Sequence, residues 1–121
     1  MGDHLRKVRL DSGLSQLDVA RLLQVSETMV TAWELNRNQP TAKFAKVIID
    51  FLGYIPFPEN ESLAKQLYMA RLVSGKTQQE VSKEIGVDES NLRWIELGVR
   101  NPFSKTREKI EGFVEVTLQA R

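Results

Sequence analysis

The chain has no cysteine and a single histidine, His4. Disulfides, thiolate metal sites and cysteine nucleophiles are thereby excluded, and a reducing compartment suits the composition. His4 lies near the start of the chain, where a solvated side chain is expected rather than a catalytic or metal-binding one. Long apolar runs are missing as well. No stretch approaches the roughly 20 residues that span a bilayer, and the opening MGDHLRKVRL lacks the apolar core of a secretory signal. The expectation is a cytoplasmic protein with no membrane partner. Glycine-rich phosphate loops, a Ser/His pair and a carboxylate cluster with companion ligands are absent too, so the chain is not expected to be an enzyme or to hold a cofactor or metal. Charge of one sign is also lacking: 17 Lys and Arg against 16 Asp and Glu leave +1. Affinity for nucleic acid would have to come from charge placed on one face, not from the global field.

What is present is repetition. At 121 residues the chain accommodates one ordinary domain or two very small ones. GLSQLDVARLLQVSE (13–27) aligns without a gap with GKTQQEVSKEIGVDE (75–89); 75 − 13 and 89 − 27 both give 62. The same offset pairs Leu5 with Leu67, Arg9 with Arg71, Gln16 with Gln78, Val19 with Val81, Val25 with Val87, Glu34 with Glu96 and Pro40 with Pro102. It extends to Ile48 with Ile110 and Phe51 with Phe113. Two copies of one unit follow. GYIPFPENES (53–62), with one glycine and two prolines, separates them. The division read here is a first unit over 1–53, a linker over 54–62 and a second unit over 63–121, with Tyr54, Ile55 and Phe57 packing the linker.

Each copy reads as helices. A polar, basic helix from about Gly2 to Ser12 carries Leu5 and Val8 on one face and stops at Gly13. Ser15 with Asp18, and Thr77 with Glu80, have capping-box spacing, so short helices are predicted over Gln16 to Leu23 and Gln78 to Ile85. Ser26 and Asp88 are N-cap types for further helices running to about Leu35 and Leu97. The closing helix of the first copy, Lys43 to Leu52, presents Phe44, Val47, Ile48 and Phe51; that of the second presents Ile110, Phe113, Val114 and Leu118. No segment alternates as a strand does, so the fold class is all α.

These residues resemble the Cro and phage-repressor helix-turn-helix family, also called XRE-like. The matching frame is Gln16, Val19, Ala20, Val25, Ser26, Val30, Trp33 and Glu34, and again Gln78, Val81, Gly86, Val87, Leu92, Ile95 and Glu96. Gln24 stands in place of the turn glycine, Ser82 in place of the small alanine and Ile95 in place of the tryptophan. If the turn is kept, Gln24 takes a left-handed conformation. The resemblance implies two consecutive lambda-repressor-like bundles of about four to five helices each. It also implies structural ion pairs of Arg9 with Glu34 and of Arg71 with Glu96.

The resemblance further implies that the third helix of a unit enters the major groove of double-stranded DNA. Base-reading candidates are Ser26, Glu27, Thr28, Met29, Thr31 and Ala32 in the first copy, and Asp88, Glu89, Ser90, Asn91, Arg93 and Trp94 in the second. Gln16 and Gln78 resemble phosphate-contacting glutamines, and Arg37, Asn38, Arg100 and Asn101 are placed as phosphate clamps. Arg93 suits guanine and Asn91 adenine, whereas Glu27 and Glu89 either accept from a cytosine amino group or complement a helix dipole. Because Ile95 takes the core position, Trp94 is left to contact bases, the other copy or a protein partner. The function expected is a DNA-binding transcriptional regulator of phage or bacterial type, acting as a repressor, alone or as a homodimer. The alternative is a protein-interaction adaptor or antitoxin-like module that keeps the fold. No ligand-binding segment is read, hence no small-molecule effector.

Overall fold

The computed structural model describes residues 1–58 and 61–119. Glu59 and Asn60 of the linker, and Ala120 and Arg121 at the end of the second unit, lie outside the described residues. The described residues hold eight α-helices and no strand: α1 (Gly2–Asp11), α2 (Gln16–Leu23), α3 (Glu27–Glu34), α4 (Ala42–Leu52), α5 (Leu63–Ser74), α6 (Gln78–Ile85), α7 (Glu89–Glu96) and α8 (Ser104–Gln119). The chain divides into two compact units, Met1–Pro56 and Phe57–Arg121. Tyr54 and Ile55 thus fall within the first unit, and the Tyr54 hydroxyl lies 2.8 Å from His4 Nδ1, so His4 is tied to the end of its own unit instead of being free in solvent. No helix among the described residues is long and apolar enough to cross a membrane.

The helix bounds repeat at the offset of the sequence. Both ends of α2 and α6 (16 and 78, 23 and 85) and of α3 and α7 (27 and 89, 34 and 96) differ by 62, as do the starts of α4 and α8 (42 and 104). The causes are local. Ser15 and Thr77 each accept a hydrogen bond from the backbone N–H three residues on, and the Asp18 and Glu80 carboxylates accept one from the backbone N–H of the cap residue, so both boxes are closed. Ser26 and Asp88 cap α3 and α7. Left-handed residues punctuate each copy at matching positions: Gly13 and Gly75, Gln24 and Gly86, Asn36 and Gly98. Gln24 has φ 58° and ψ 45°, so the turn between α2 and α3 keeps its geometry without glycine. Gly53, at φ 79°, ends α4, whereas Glu115 (53 + 62) lets α8 run on to Gln119.

The cores also coincide. In the first unit Leu5, Val19, Ala20, Leu23, Val30, Trp33, Ile48 and Leu52 form one buried cluster. In the second, Leu67, Ala70, Val81, Val87, Leu92, Ile95, Ile110, Phe113 and Val114 do so. The exchange of Trp33 for Ile95 is matched nearby: Val30 becomes Leu92, and Phe44, whose ring centroid is 5.7 Å from that of Trp33, becomes Thr106. One expectation is corrected. The buried face of α4 is Ala42, Ala45, Ile48, Ile49 and Leu52, while Phe44 and Val47 are exposed. Alanines carry the close approach on that face, and the larger Phe44 is left at its rim against Trp33.

Candidate nucleic-acid interface

The third helix of each unit is held by one ion pair with its accessories. Arg9 donates from Nε to Glu34 Oε2 at 2.7 Å and from Nη2 to Oε1 at 2.8 Å, and its Nη1 donates to the Leu14 carbonyl at 3.1 Å. Arg71 repeats the fork on Glu96 at 2.8 and 2.6 Å and reaches the Lys76 carbonyl at 3.1 Å. The parallel two-bond geometry is that of a bidentate guanidinium–carboxylate pair. It locks the end of α3 or α7 to α1 or α5 and to the turn before the second helix. Burial raises the pKa of Glu34, but hydrogen bonds from Arg9 and Gln16 and the Arg9 charge outweigh it, leaving the carboxyl below its ordinary value. The Arg9 guanidinium is correspondingly raised, first by its hydrogen bond to Glu34.

This anchoring orders the glutamines that open the second helices. Gln16 donates from Nε2 to Glu34 Oε1 at 3.1 Å and accepts at Oε1 from the Thr31 hydroxyl at 2.9 Å. The Thr31 hydroxyl also lies 3.1 Å from the Glu27 carbonyl. The Gln16 amide and the Thr31 hydroxyl are therefore engaged with each other. In the second unit Gln78 reaches Glu96 at 3.4 Å, and Arg93, at the position of Thr31, is exposed.

The third helices of the two units, α3 and α7, differ in what they leave outward. On α3, Ser26 is engaged as the cap of Met29 N–H, Met29 packs partly buried on the core, and Ala32 is half-buried. Glu27 and Thr28 are exposed. On α7, the Asp88 carboxylate accepts from the N–H groups of Ser90 and Asn91 at 3.1 and 3.3 Å, so it serves the helix start. Glu89 is half-buried in that first turn. Ser90 and Arg93 are exposed and Trp94 is 43% exposed, on the side opposite Leu92 and Ile95. Arg37, Asn38, Arg100 and Asn101 are all exposed in the loops after the reading helices.

Residues 5–60 match the family model described as Helix-turn-helix. The first unit is thus similar to the helix-turn-helix family of DNA-binding proteins, over just under half of the chain. Comparisons with curated proteins and with solved structures give no match. The matched range includes α2, the turn at Gln24 and α3. The second unit, almost wholly outside that match, repeats the bounds of α2 and α3 in α6 and α7, and α7 presents the more polar outward face.

Two features of the two units escape sequence reasoning. Arg100 Nη1 donates to Asn91 Oδ1 at 2.9 Å, joining a phosphate-clamp candidate to a base-reading candidate. Both line a groove of about 340 Å³ with Asn101, Pro102 and Phe103. Gly2 is buried against the carbonyl of Trp33 at the end of α3, where a Cβ would collide with backbone. Its position next to Met1 disguised it as an ordinary solvated glycine.

Proposed function

We propose that the chain is a sequence-specific double-stranded DNA-binding transcriptional repressor in which α7 lies in the major groove and supplies most of the base reading. The observation that carries this is the outward face of α7: Ser90, Arg93 and Trp94 project from a helix fixed on its other side by Leu92, Ile95 and the Arg71–Glu96 pair. Arg93 offers two parallel donors to guanine, and Ser90 serves either donor or acceptor edges. The second unit is then a second helix-turn-helix. The first unit contributes Arg37 and Asn38 to phosphates, and a modest set of contacts through Glu27 and Thr28. Linking two weak binders raises the apparent affinity by effective concentration. Such a protein acts in the cytoplasm.

The loop after α7 leaves Leu97, Val99 and Phe103 exposed, Phe103 by 89%. This apolar run supports pairing of two chains on DNA, with recognition helices about 34 Å apart in successive grooves. It is also what favours the second reading, a protein-interaction module of adaptor or antitoxin type. Selection of duplexes from a random pool separates the two. The repressor reading expects a defined motif with the intact chain, altered at one or two positions by Arg93→Ala and little changed by Thr28→Ala. Recovery of no motif at low salt overturns it in favour of the protein-interaction module.

A further inference from the structure

The hydrogen bond between Arg100 and Asn91 has a chemical polarity that bears on which base is read. A guanidinium only donates, so the amide atom 2.9 Å from Arg100 Nη1 is Oδ1, and Nδ2 is the other arm of the amide. Asn91 is also held at its backbone, where its N–H donates to Asp88 at 3.3 Å. To read adenine, an asparagine uses both arms, Oδ1 accepting from N6 and Nδ2 donating to N7. Here Oδ1 already faces a cation, which opposes the approach of another polarised N–H to it and makes the Nδ2 hydrogens stronger donors. Arg100, which lines the same groove, keeps further guanidinium donors beyond the one given to Asn91. Guanine presents two acceptors in the major groove, O6 and N7.

We infer that Arg100 and Asn91 act as one donor-only reading unit, selecting guanine over adenine at the base that Asn91 faces, with Arg100 as a specificity-determining residue and not merely a phosphate clamp. The inference rests on α7 reading DNA as proposed above. The first unit has no counterpart, because the equivalent positions are Met29 and Asn38 (91 − 62 and 100 − 62), and methionine offers only a weak sulfur acceptor. The arrangement is thus specific to the second helix-turn-helix.

The test uses the full chain, its Asn91→Ala and Arg100→Ala variants, and selection from a random duplex pool followed by titration of the recovered duplexes. Asn91→Ala identifies the base in question as the position at which preference disappears. The intact chain is expected to favour guanine there by about tenfold, and Arg100→Ala to bring adenine level with or above guanine while other positions keep their preferences. Uniformly weaker binding by Arg100→Ala, with guanine still preferred, makes Arg100 a phosphate clamp and overturns the inference. So does a preference of the intact chain for adenine. A DNA-free measurement keeps this failure distinct from failure of the DNA-reading function. In nuclear magnetic resonance spectra of the free chain, Arg100→Ala should shift the Asn91 side-chain amide signals, and unmoved signals overturn the pairing itself. If the signals move but no motif is recovered from the intact chain, it is the DNA-reading function that falls, and the inference with it.

Discussion

Arg9 and Glu34 show how a single buried contact organises a unit. Both are buried, and each is neutralised by the other through two hydrogen bonds, with Leu14 and Gln16 as neutral accessories, so the two charges are tolerable only together. Removing one partner leaves a buried charge unpaired. Arg9→Met is therefore expected to lower the unfolding free energy of the first unit by about 3–5 kcal/mol, and adding Glu34→Leu to restore much of the loss. Urea unfolding followed by tryptophan fluorescence in a Trp94→Phe background, where Trp33 is the remaining tryptophan, measures both. The same titration carries a pH signature. The folded-state pKa of Glu34 lies below its ordinary value of 4.5, so its contribution is fully present above that value and is lost as pH falls through the lower, folded one. The acid-side slope should be shallower in the double variant than in the intact chain. Equal stability of Arg9→Met and the intact chain would show the pair to be solvated in solution.

At the scale of the helices, the turn between α2 and α3 is the point where the local sequence and the fold disagree. Gln24 occupies a left-handed conformation, which costs a residue bearing a Cβ about 1–2 kcal/mol, and its counterpart Gly86 avoids that cost. Gln24→Gly is expected to stabilise the first unit by about 1 kcal/mol, less than the full strain because glycine also frees the unfolded chain. A rise in the urea midpoint at unchanged slope is the signature, and a fall would mean that the Gln24 side chain makes contacts outweighing its backbone. The helix bounds themselves were readable because they depend on neighbours in the chain: Ser15, Ser26, Thr77 and Asp88 cap within three residues of themselves. The orientation of α4 was not. Its apolar residues run nearly all the way round, and the small Ala42 and Ala45, which mark the buried face, carry less hydropathic weight than Phe44 and Val47. The candidate site was readable to a similar depth. The positions of the reading helices followed from the caps, but the engagement of Thr31 with Gln16, and of Asn91 with Arg100, spans fifteen and nine residues. Such pairings depend on how loops return, which no periodicity records.

For the molecule as a whole, the family match and the more polar outward helix face fall on different units. There is no conflict in this, because a helix-turn-helix is identified by the residues that pack it, and Trp33, Ala20 and Val25 make the first unit the more typical frame. Base readers are free to vary on the outside. With a net charge of only +1, binding must draw on particular cations, so the dependence of affinity on salt counts those that reach phosphates. The logarithm of the binding constant falls with the logarithm of salt concentration by about 0.9 for each phosphate neutralised on duplex DNA. If both units engage one site, Arg37→Gln should weaken binding evenly across sequences and reduce that slope by about 1, with the selected motif unchanged. Arg93→Ala should instead alter the motif. A slope unmoved by Arg37→Gln, measured on a duplex long enough for both units, would place the first helix-turn-helix off the DNA. The polar Glu27 and Thr28 of α3 are stable in water without a partner, so the first unit would then serve as a scaffold for the second.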